Sequence, residues 1–287
     1  MKVGVIFPQL EIGTDPVVIR DYAQTIEGMG YDFLLAYEHT LGADPDAYPS
    51  QGFVYTYESM FHEPFVLFAY LAAVTQSLEF ATGILILPQR NAPLVAKQAA
   101  SLDVLAQGRL RLGIGVGWNR AEMENLGYDF STRGKRVDEQ LEVMRALWTK
   151  PLVNFEGEYH TLREVGINPL PVQRPIPLWF GGGAEPVLRR MVKYGAGWMV
   201  NTADPEAFKS SWDQLRGYLA EADRNPDSFG LDVRISVARQ PVATWEKVIE
   251  QWREIGATHI GINTMGAGFT SIDEHINVIR AFKEMVE

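Results

Sequence analysis

The chain contains no cysteine, which excludes disulfide bonds and thiol chemistry and fits a reducing compartment. It has no run of lysine or arginine, and its formal net charge is −10, which argues against nucleic acid or an anionic membrane as a partner. No apolar stretch reaches transmembrane length, and Pro8 ends the short apolar run at the amino terminus, where we expect a strand and not a signal peptide. These absences predict a cytoplasmic protein that acts on a small molecule.

A regular alternation of strand-like and helix-like segments fills the chain. Its 287 residues are 46% apolar, which is enough for a sizeable core. Eight strand-like runs are each followed by an amphipathic segment, a pattern that predicts a (β/α)8 TIM barrel forming a single domain over residues 1–287. A doubly wound open sheet is the alternative, but no G-x-G-x-x-G follows the first strand. The predicted strands are 3–7, 33–36, 78–85, 110–116, 178–180, 197–200, 233–237 and 259–262.

Two intervals are too long for ordinary connections and are predicted to be insertions. The first, 39–62, follows the second strand and is rich in aromatic residues, which suit either a substrate wall or a packed lid. The second, 150–177, precedes the fifth strand and is predicted to contain a hairpin followed by several prolines. Because barrel enzymes carry function in the loops beyond the strand carboxyl ends, both are candidate site segments, although the second also suits a simple strap across the barrel.

The predicted fourth strand has glycine on one face and large residues on the other. Gly113, Gly115 and Gly117 alternate with aliphatic residues and Trp118 at period two. Glycine weakens a strand interior, so something must approach this backbone closely. A planar cofactor explains the pattern, and so does tight packing inside the barrel.

Three other positions are candidates for chemistry. Glu38 and His39 directly follow the second strand, where a histidine can act as a general acid or base or anchor the loop. Gly83 interrupts an aliphatic strand, which indicates a bulge or a close backbone approach. Residues 180–190, FGGGAEPVLRR, form a glycine turn that opens a helix, a place where backbone N–H groups bind phosphate or where a tight turn simply requires glycine.

Other features are explained by ordinary structure. Trp118 is equally suited to a buried core, and Glu122 and Glu124 fit the first turn of a helix, where an acid complements the helix dipole. The histidines have no metal-like spacing, so we predict no metal site. The chain also lacks a G-x-S-x-G motif and a P-loop.

Taken together, these motifs resemble the luciferase-like family of flavin- or deazaflavin-dependent oxidoreductases over nearly the whole chain. The resemblance is strongest in GRLRLGIGVGWNRAEMENLG at 108–127 and continues through RGKRVDEQLEVMRALW at 133–148. Supporting matches are ATGILILP at 81–88, APLVAKQAASLD at 92–103 and PLWFGGG at 177–183.

The resemblance implies a TIM barrel that binds FMN or coenzyme F420 at the strand carboxyl ends, commonly as a homodimer. It implies a non-proline cis peptide at Gly83–Ile84 against the cofactor ring, and cofactor phosphate at the glycine turn. It makes His39 the candidate for proton transfer, although Glu38 replaces the aspartate of deazaflavin-using relatives. Relatives that use sugar phosphates carry glutamate where Trp118 stands, so that mechanism is not supported. The expected cofactor-binding residues are Gly83, Ile84, Gly117, Trp118, Gly181, Gly182 and Gly183.

The predicted function is hydride transfer between coenzyme F420 and an organic substrate, with His39 and Glu38 as catalytic residues. An FMN-dependent monooxygenase is the first alternative. A barrel lyase or isomerase of a phosphorylated metabolite and a non-catalytic cofactor-binding protein are alternatives of other classes. The anionic oligoglutamate tail of F420 would need a local basic strip, for which Arg90, Lys97 and Arg109 are candidates, each equally suited to a solvated surface.

Overall fold

The computed structural model describes residues 1–286, so Glu287, the last residue of the expected domain, lies outside the described part. The strands, in chain order, are Lys2–Ile6 (β1), Phe33–Ala36 (β2), Glu79–Thr82 (β3), Leu85–Ile86 (β4), Leu110–Gly115 (β5), Val153–Glu156 (β6), Thr161–Val165 (β7), Leu178–Gly181 (β8), Gly197–Met199 (β9), Gly230–Ser236 (β10) and His259–Asn263 (β11). The α-helices are Pro16–Gly28 (α1), Pro64–Ala72 (α2), Ala92–Leu105 (α3), Arg120–Asn125 (α4), Arg133–Thr149 (α5), Glu185–Tyr194 (α6), Pro205–Glu221 (α7), Trp245–Ile255 (α8) and Ile272–Val286 (α9).

Nine of the strands form one closed parallel sheet. The strand order is β3-β2-β1-β11-β10-β9-β8-β5-β4, and β3 also pairs with β5, which closes the ring. Since β3 and β4 pair in succession with the same strand, they occupy one place in the ring and the barrel has eight positions. The predicted (β/α)8 barrel is therefore confirmed, and the open doubly wound sheet is wrong.

The alternation of side chains along each strand divides the core into two layers. Inward-pointing residues such as Phe33, Leu35, Trp179 and Met199 fill the barrel interior. The outward-pointing residues pack against the ring of helices in a much larger cluster. Several helices begin at proline, which is preorganised for a first helical turn.

The third barrel position differs from the single strand predicted over 78–85. The chain pairs as β3, breaks at Gly83–Ile84, and resumes as β4. The Gly83–Ile84 peptide bond is cis, as the family resemblance implied. The backbone N–H of Gly83 donates to the carbonyl of Ala36 at 2.8 Å, which fixes the break against β2. The predicted bulge therefore exists, and it lies at the carboxyl end of the strand.

The two insertions lie in different parts of the barrel. Residues 39–62 contain no helix or strand and follow the carboxyl end of β2, as expected. The predicted hairpin is present as the antiparallel pair β6 and β7. It follows a helix and precedes β8, and Glu139 of α5 accepts hydrogen bonds from the backbone at its tip, so the hairpin lies along the outside of α5. This position fits the strap interpretation of the second insertion.

None of the helices in residues 1–286 combines the length and the apolar character that a membrane span requires.

Candidate functional site

A cleft of about 250 Å³ opens at the carboxyl ends of the barrel strands. Its lining residues belong to the carboxyl-terminal parts of five of the eight barrel strands or to the segments that follow them, as is usual for enzymes of this architecture. The residues that line it are Tyr37, Glu38, His39, Tyr55, Gly83, Ile84, Ile86, Gln89, Gly117, Trp118, Asn119, Glu122, Asn201 and Arg234. Six of the predicted site residues therefore meet in one cleft: Glu38, His39, Gly83, Ile84, Gly117 and Trp118.

His39 is held in the cleft by a carboxylate and by aromatic rings. Its Nδ1 lies 2.9 Å from Oε2 of Glu122, and its side chain is 14% exposed. The rings of Tyr55, Phe61 and Trp118 surround the imidazole, with centroids 5.2, 5.0 and 6.3 Å away. When Nδ1 donates to the carboxylate, Nε2 is the nitrogen left to exchange a proton with a bound molecule.

Glu122 is the partner that the sequence did not reveal. Its carboxylate accepts hydrogen bonds from the backbone N–H groups of Thr40 at 2.6 Å and Leu41 at 3.3 Å, and from the Gln89 side chain at 3.1 Å. Burial by itself would raise the pKa of Glu122, but the hydrogen bonds from His39, Thr40 and Leu41 outweigh it and lower the pKa below the ordinary value. The carboxylate is therefore charged at neutral pH, and its assignment to the helix dipole alone is incomplete.

The carboxylate of Glu38 is occupied by hydrogen bonds from other residues of the protein. Its carboxylate accepts hydrogen bonds from the backbone N–H of Ile86 and from Nε of Arg90, both at 2.6 Å. Arg90 also pairs with Glu63 at 3.0 Å, at the start of α2. Burial raises the pKa of Glu38, although Arg90 and the Ile86 amide favour the charged form. These contacts tie the end of β2 to β4, immediately beside the break at Gly83–Ile84.

The glycines of β5 have two different explanations. A Cβ on Gly113 would overlap the Thr82 carbonyl oxygen and the Met199 side chain, and one on Gly115 would overlap Ile84. Packing within the barrel therefore accounts for these two positions. Gly117 follows the strand, lines the cleft and has a φ of 88°, a left-handed conformation that favours glycine.

Trp118 lines the cleft with 48% of its surface exposed, so the buried-core interpretation is wrong for this residue. An aromatic face this open to a cleft can pack against a flat ring.

The glycine turn lies at the same end of the barrel but outside the cleft lining. Gly181 ends β8, and Gly182 follows with a φ of 92°. Within the part of the chain that the structure describes, the backbone N–H groups of residues 182–184 have no hydrogen-bond acceptor. β8 lies between β5 and β9, and both neighbours lead directly into cleft residues, Trp118 and Asn201. The turn is thus at the rim beside the cleft, with free donors that suit an anion.

The three basic residues considered for an anionic tail do not form a strip. Arg90 is paired with Glu38 and Glu63, and Lys97 donates to the Asn168 carbonyl. Arg109 precedes β5 at the opposite end of the barrel and donates to backbone carbonyls there, among them Leu78 at 2.7 Å. Across residues 1–286, no group of three His, Asp or Glu side chains is arranged to hold a metal ion.

Sequence reasoning also missed Arg234 and Asn201, which line the cleft from β10 and from the segment after β9. Arg234 lies inside a strand, where a charged residue normally indicates a solvent-facing position, so no sequence signal marked it. For Glu122 a signal existed, since Asn119 and Glu122 have the spacing of a helix-capping pair. That spacing explains a helix start equally well, and only the fold brings Glu122 to His39.

Comparison with known proteins gives a family for this geometry. A family model described as luciferase-like monooxygenase matches residues 3–278. An uncharacterised protein of Mycobacterium tuberculosis is 39% identical over 170 residues, which are 59% of this chain and 56% of that protein. The match thus spans little more than half of that relative's length.

Two further similar proteins have names that state an activity. An FMNH(2)-dependent dimethylsulfone monooxygenase of Pseudomonas putida is 27% identical over 208 residues, covering 70% of this chain and 53% of that protein. The solved structure of an F420-dependent secondary alcohol dehydrogenase, in complex with an F420-acetone adduct, is similar in fold with a TM-score of 0.79. It is 19% identical, and the alignment covers 100% of this chain and 99% of that one.

Proposed function

This chain belongs to the luciferase-like monooxygenase family, and we propose that within it the protein transfers a hydride between coenzyme F420 and an organic substrate. The observation that carries the proposal is the pairing of the partly buried His39 with the buried Glu122 at the cleft. When bound, the deazaflavin supplies a ring carbon that accepts or gives a hydride, and the protein supplies position and electrostatics.

The His39–Glu122 pair suits the proton that accompanies such a hydride. An alcohol that loses a hydride must also lose its hydroxyl proton, and a carbonyl that gains a hydride must gain one. Nδ1 of His39 lies 2.9 Å from the Glu122 carboxylate, which orients the imidazole, and Nε2 is the nitrogen proposed to face the bound molecule. His39 is the proposed proton donor or acceptor, and Glu122 is its positioning residue.

The residues around the cleft fit a flat ring with a phosphate on one side. Gly83 and Ile84 present backbone to the cleft, and Trp118 offers an exposed aromatic face. Beside them, the backbone N–H groups of residues 182–184 lack protein acceptors, so Gly182 and Gly183 are proposed to hold the phosphate, with Gly181 leading into their turn. Glu38 is proposed to act by position, since Arg90 and Ile86 occupy its carboxylate.

An FMN-dependent monooxygenase is the second candidate. The named relative from Pseudomonas putida favours it, and the paired state of Arg90, together with the remote position of Arg109, leaves those two residues unable to bind an oligoglutamate tail. Family membership favours both redox candidates over a lyase or isomerase. We also propose a homodimer, on the family resemblance alone.

Titration of the purified protein with F420 and with FMN, followed by fluorescence quenching, tests the proposal. We expect F420 to bind more tightly, and reduction of bound F420 by one or more members of a panel of small alcohols. His39→Ala should keep cofactor affinity within roughly twofold while lowering turnover about 10²- to 10⁴-fold, because proton transfer is lost and ring binding is not.

His160→Ala is the matched control, since His160 also contacts a glutamate, Glu139, but lies in the outer hairpin and away from the cleft. Its cofactor affinity and turnover should equal those of the unchanged protein. Preferential binding of FMN with oxygen consumption would establish the second candidate instead, and binding of neither cofactor would refute both.

A further inference from the structure

Arg234 is a cationic side chain of the cleft that makes no hydrogen bond or ion pair within residues 1–286. Its Nε and Nη2 atoms are buried and make no hydrogen bond to any residue of the described chain. The guanidinium makes a cation–π contact with the ring of Tyr37, and its central carbon lies 5.7 Å from the ring centroid. A buried donor without an acceptor destabilises the folded protein, and a charged donor does so more strongly, so such a group favours the binding of a ligand.

The acids near Arg234 are engaged elsewhere. Glu38 pairs with Arg90, and Glu122 pairs with His39. Asp232, two residues earlier on the same strand and pointing to the same interior, pairs with Arg111 at 2.9 Å. The cleft of this acidic protein thus holds one guanidinium whose charge is left for a bound molecule, and guanidinium matches a carboxylate in shape and charge.

The ring order of the strands places Arg234 on the wall facing the proposed cofactor position. Arg234 belongs to β10, and β10 lies four places from the position of β3 and β4 in either direction around the barrel. The Gly83–Ile84 backbone is therefore diametrically across the cleft from Arg234. A ring lying over Gly83–Ile84, with its phosphate at residues 182–184, leaves the Arg234 wall to the substrate.

We propose that the substrate is an organic acid whose carboxylate is bound by Arg234 while its reacting carbon faces the cofactor ring. This inference rests on the proposed function, because the cofactor defines which side of the cleft is left for substrate. The ring of Tyr37 beside Arg234, and that of Tyr55 in the same cleft, suit an apolar or aromatic body on that acid.

Isothermal titration with benzoate and with benzamide tests the proposal, because the two molecules share size and shape and differ in charge. The titrations use the protein without cofactor and the protein loaded with F420 or FMN. We expect benzoate to bind roughly tenfold or more tightly than benzamide, the gain of a charge-assisted pair. Arg234→Met should remove the difference, and Arg234→Lys, which keeps the charge without the fork, should retain part of it.

Arg280→Met is the matched control, since Arg280 is an exposed arginine on α9 that does not line the cleft, and its loss should leave the preference intact. Equal affinities for benzoate and benzamide, no binding of benzoate, or a preference that survives in Arg234→Met would each overturn the proposal. Competition between benzoate and cofactor, with weaker cofactor binding in Arg234→Met, would assign the arginine to the cofactor and overturn it as well. If only the proposed function is wrong, F420 and FMN fail to bind or to react, but the cofactor-free protein still prefers benzoate to benzamide. The two failures can therefore be told apart.

Discussion

Glu122 accepts hydrogen bonds from His39, from the backbone of the insertion at Thr40 and Leu41, and from Gln89 beyond β4. One carboxylate on α4 thereby holds two other segments at the cleft, the insertion after β2 and the turn after β4. Because the pKa of Glu122 is lowered, its charge persists as the pH falls to the ordinary value of 4.5, and the support it gives to the folded state is lost only below that, as the pH passes its folded-state pKa.

At this residue, Glu122→Gln keeps the shape and removes the charge. We expect turnover to fall roughly 10²-fold, because a neutral amide orients the imidazole less firmly and places no negative charge beside it. Cofactor affinity should stay within about twofold, since Glu122 supports His39 and lies outside the proposed phosphate region. Steady-state kinetics combined with cofactor titration measure both quantities.

Glu124→Gln is the control for that variant, because Glu124 lies on the same short helix and its side chain is 50% exposed, beside Arg120. It should behave as the unchanged protein. Full turnover in Glu122→Gln would contradict the positioning role, and equal losses in both variants would indicate damage to the helix instead.

Among the elements, β5 carries two glycines whose surroundings differ in rigidity. At Gly113 an added methyl meets the carbonyl oxygen of Thr82, a backbone atom within the sheet, whereas at Gly115 it meets the terminal carbon of the Ile84 side chain. Gly113→Ala should therefore lower the free energy of unfolding by about 1–3 kcal/mol or more, and Gly115→Ala by less. Urea denaturation of the two variants gives the comparison.

Ile84→Val supplies the internal check for β5. Combined with Gly115→Ala it should recover stability, because it removes the carbon that the new methyl would strike, and it should leave Gly113→Ala uncorrected. Equal losses in the two alanine variants, with no recovery from Ile84→Val, would contradict the packing explanation.

The elements were largely predictable and the site only partly so. Alternating apolar residues and prolines at helix starts mark local structure, which explains why β2 agrees with the predicted bounds and why the hairpin was recognised. His39 could be found because it directly follows a strand. Glu122 and Arg234 could not, since their roles depend on which side chains the closed barrel brings opposite one another, and the spacing along the chain does not contain that information.

Across the whole molecule, the two ends of the barrel interior differ in their chemistry. The carboxyl end holds the cleft, where the Arg234 guanidinium makes no hydrogen bond to any of the described residues. At the amino end, Arg111 is enclosed between the rings of Phe33 and Trp179, 4.6 and 4.7 Å from their centroids, and pairs with Asp232. The polar groups at the amino end are thus used in packing, which is typical of the end of a barrel that serves stability.

His259 belongs to that packed end and links it to acid stability. Burial first, and then the nearby charges of Arg111 and Lys2, lower the pKa of His259 from 6.5 to about 2. The unfolded chain therefore binds a proton below pH 6.5 that the folded chain does not, so the folded state is destabilised as the pH falls through that range. The slope from one such group approaches about 1.4 kcal/mol per pH unit.

Replacement of His259 by a side chain that does not titrate should remove its contribution to the pH dependence of the free energy of unfolding. We expect His259→Gln to be less stable than the unchanged protein at pH 7, because it disturbs the ring contacts with Phe33 and Trp179. As the pH falls from about 6.5 towards 4.5 the difference should narrow, since only the unchanged protein loses stability to histidine protonation. Urea denaturation over this range measures it, and a constant difference would mean that His259 takes up its proton in the folded state as readily as in the unfolded one.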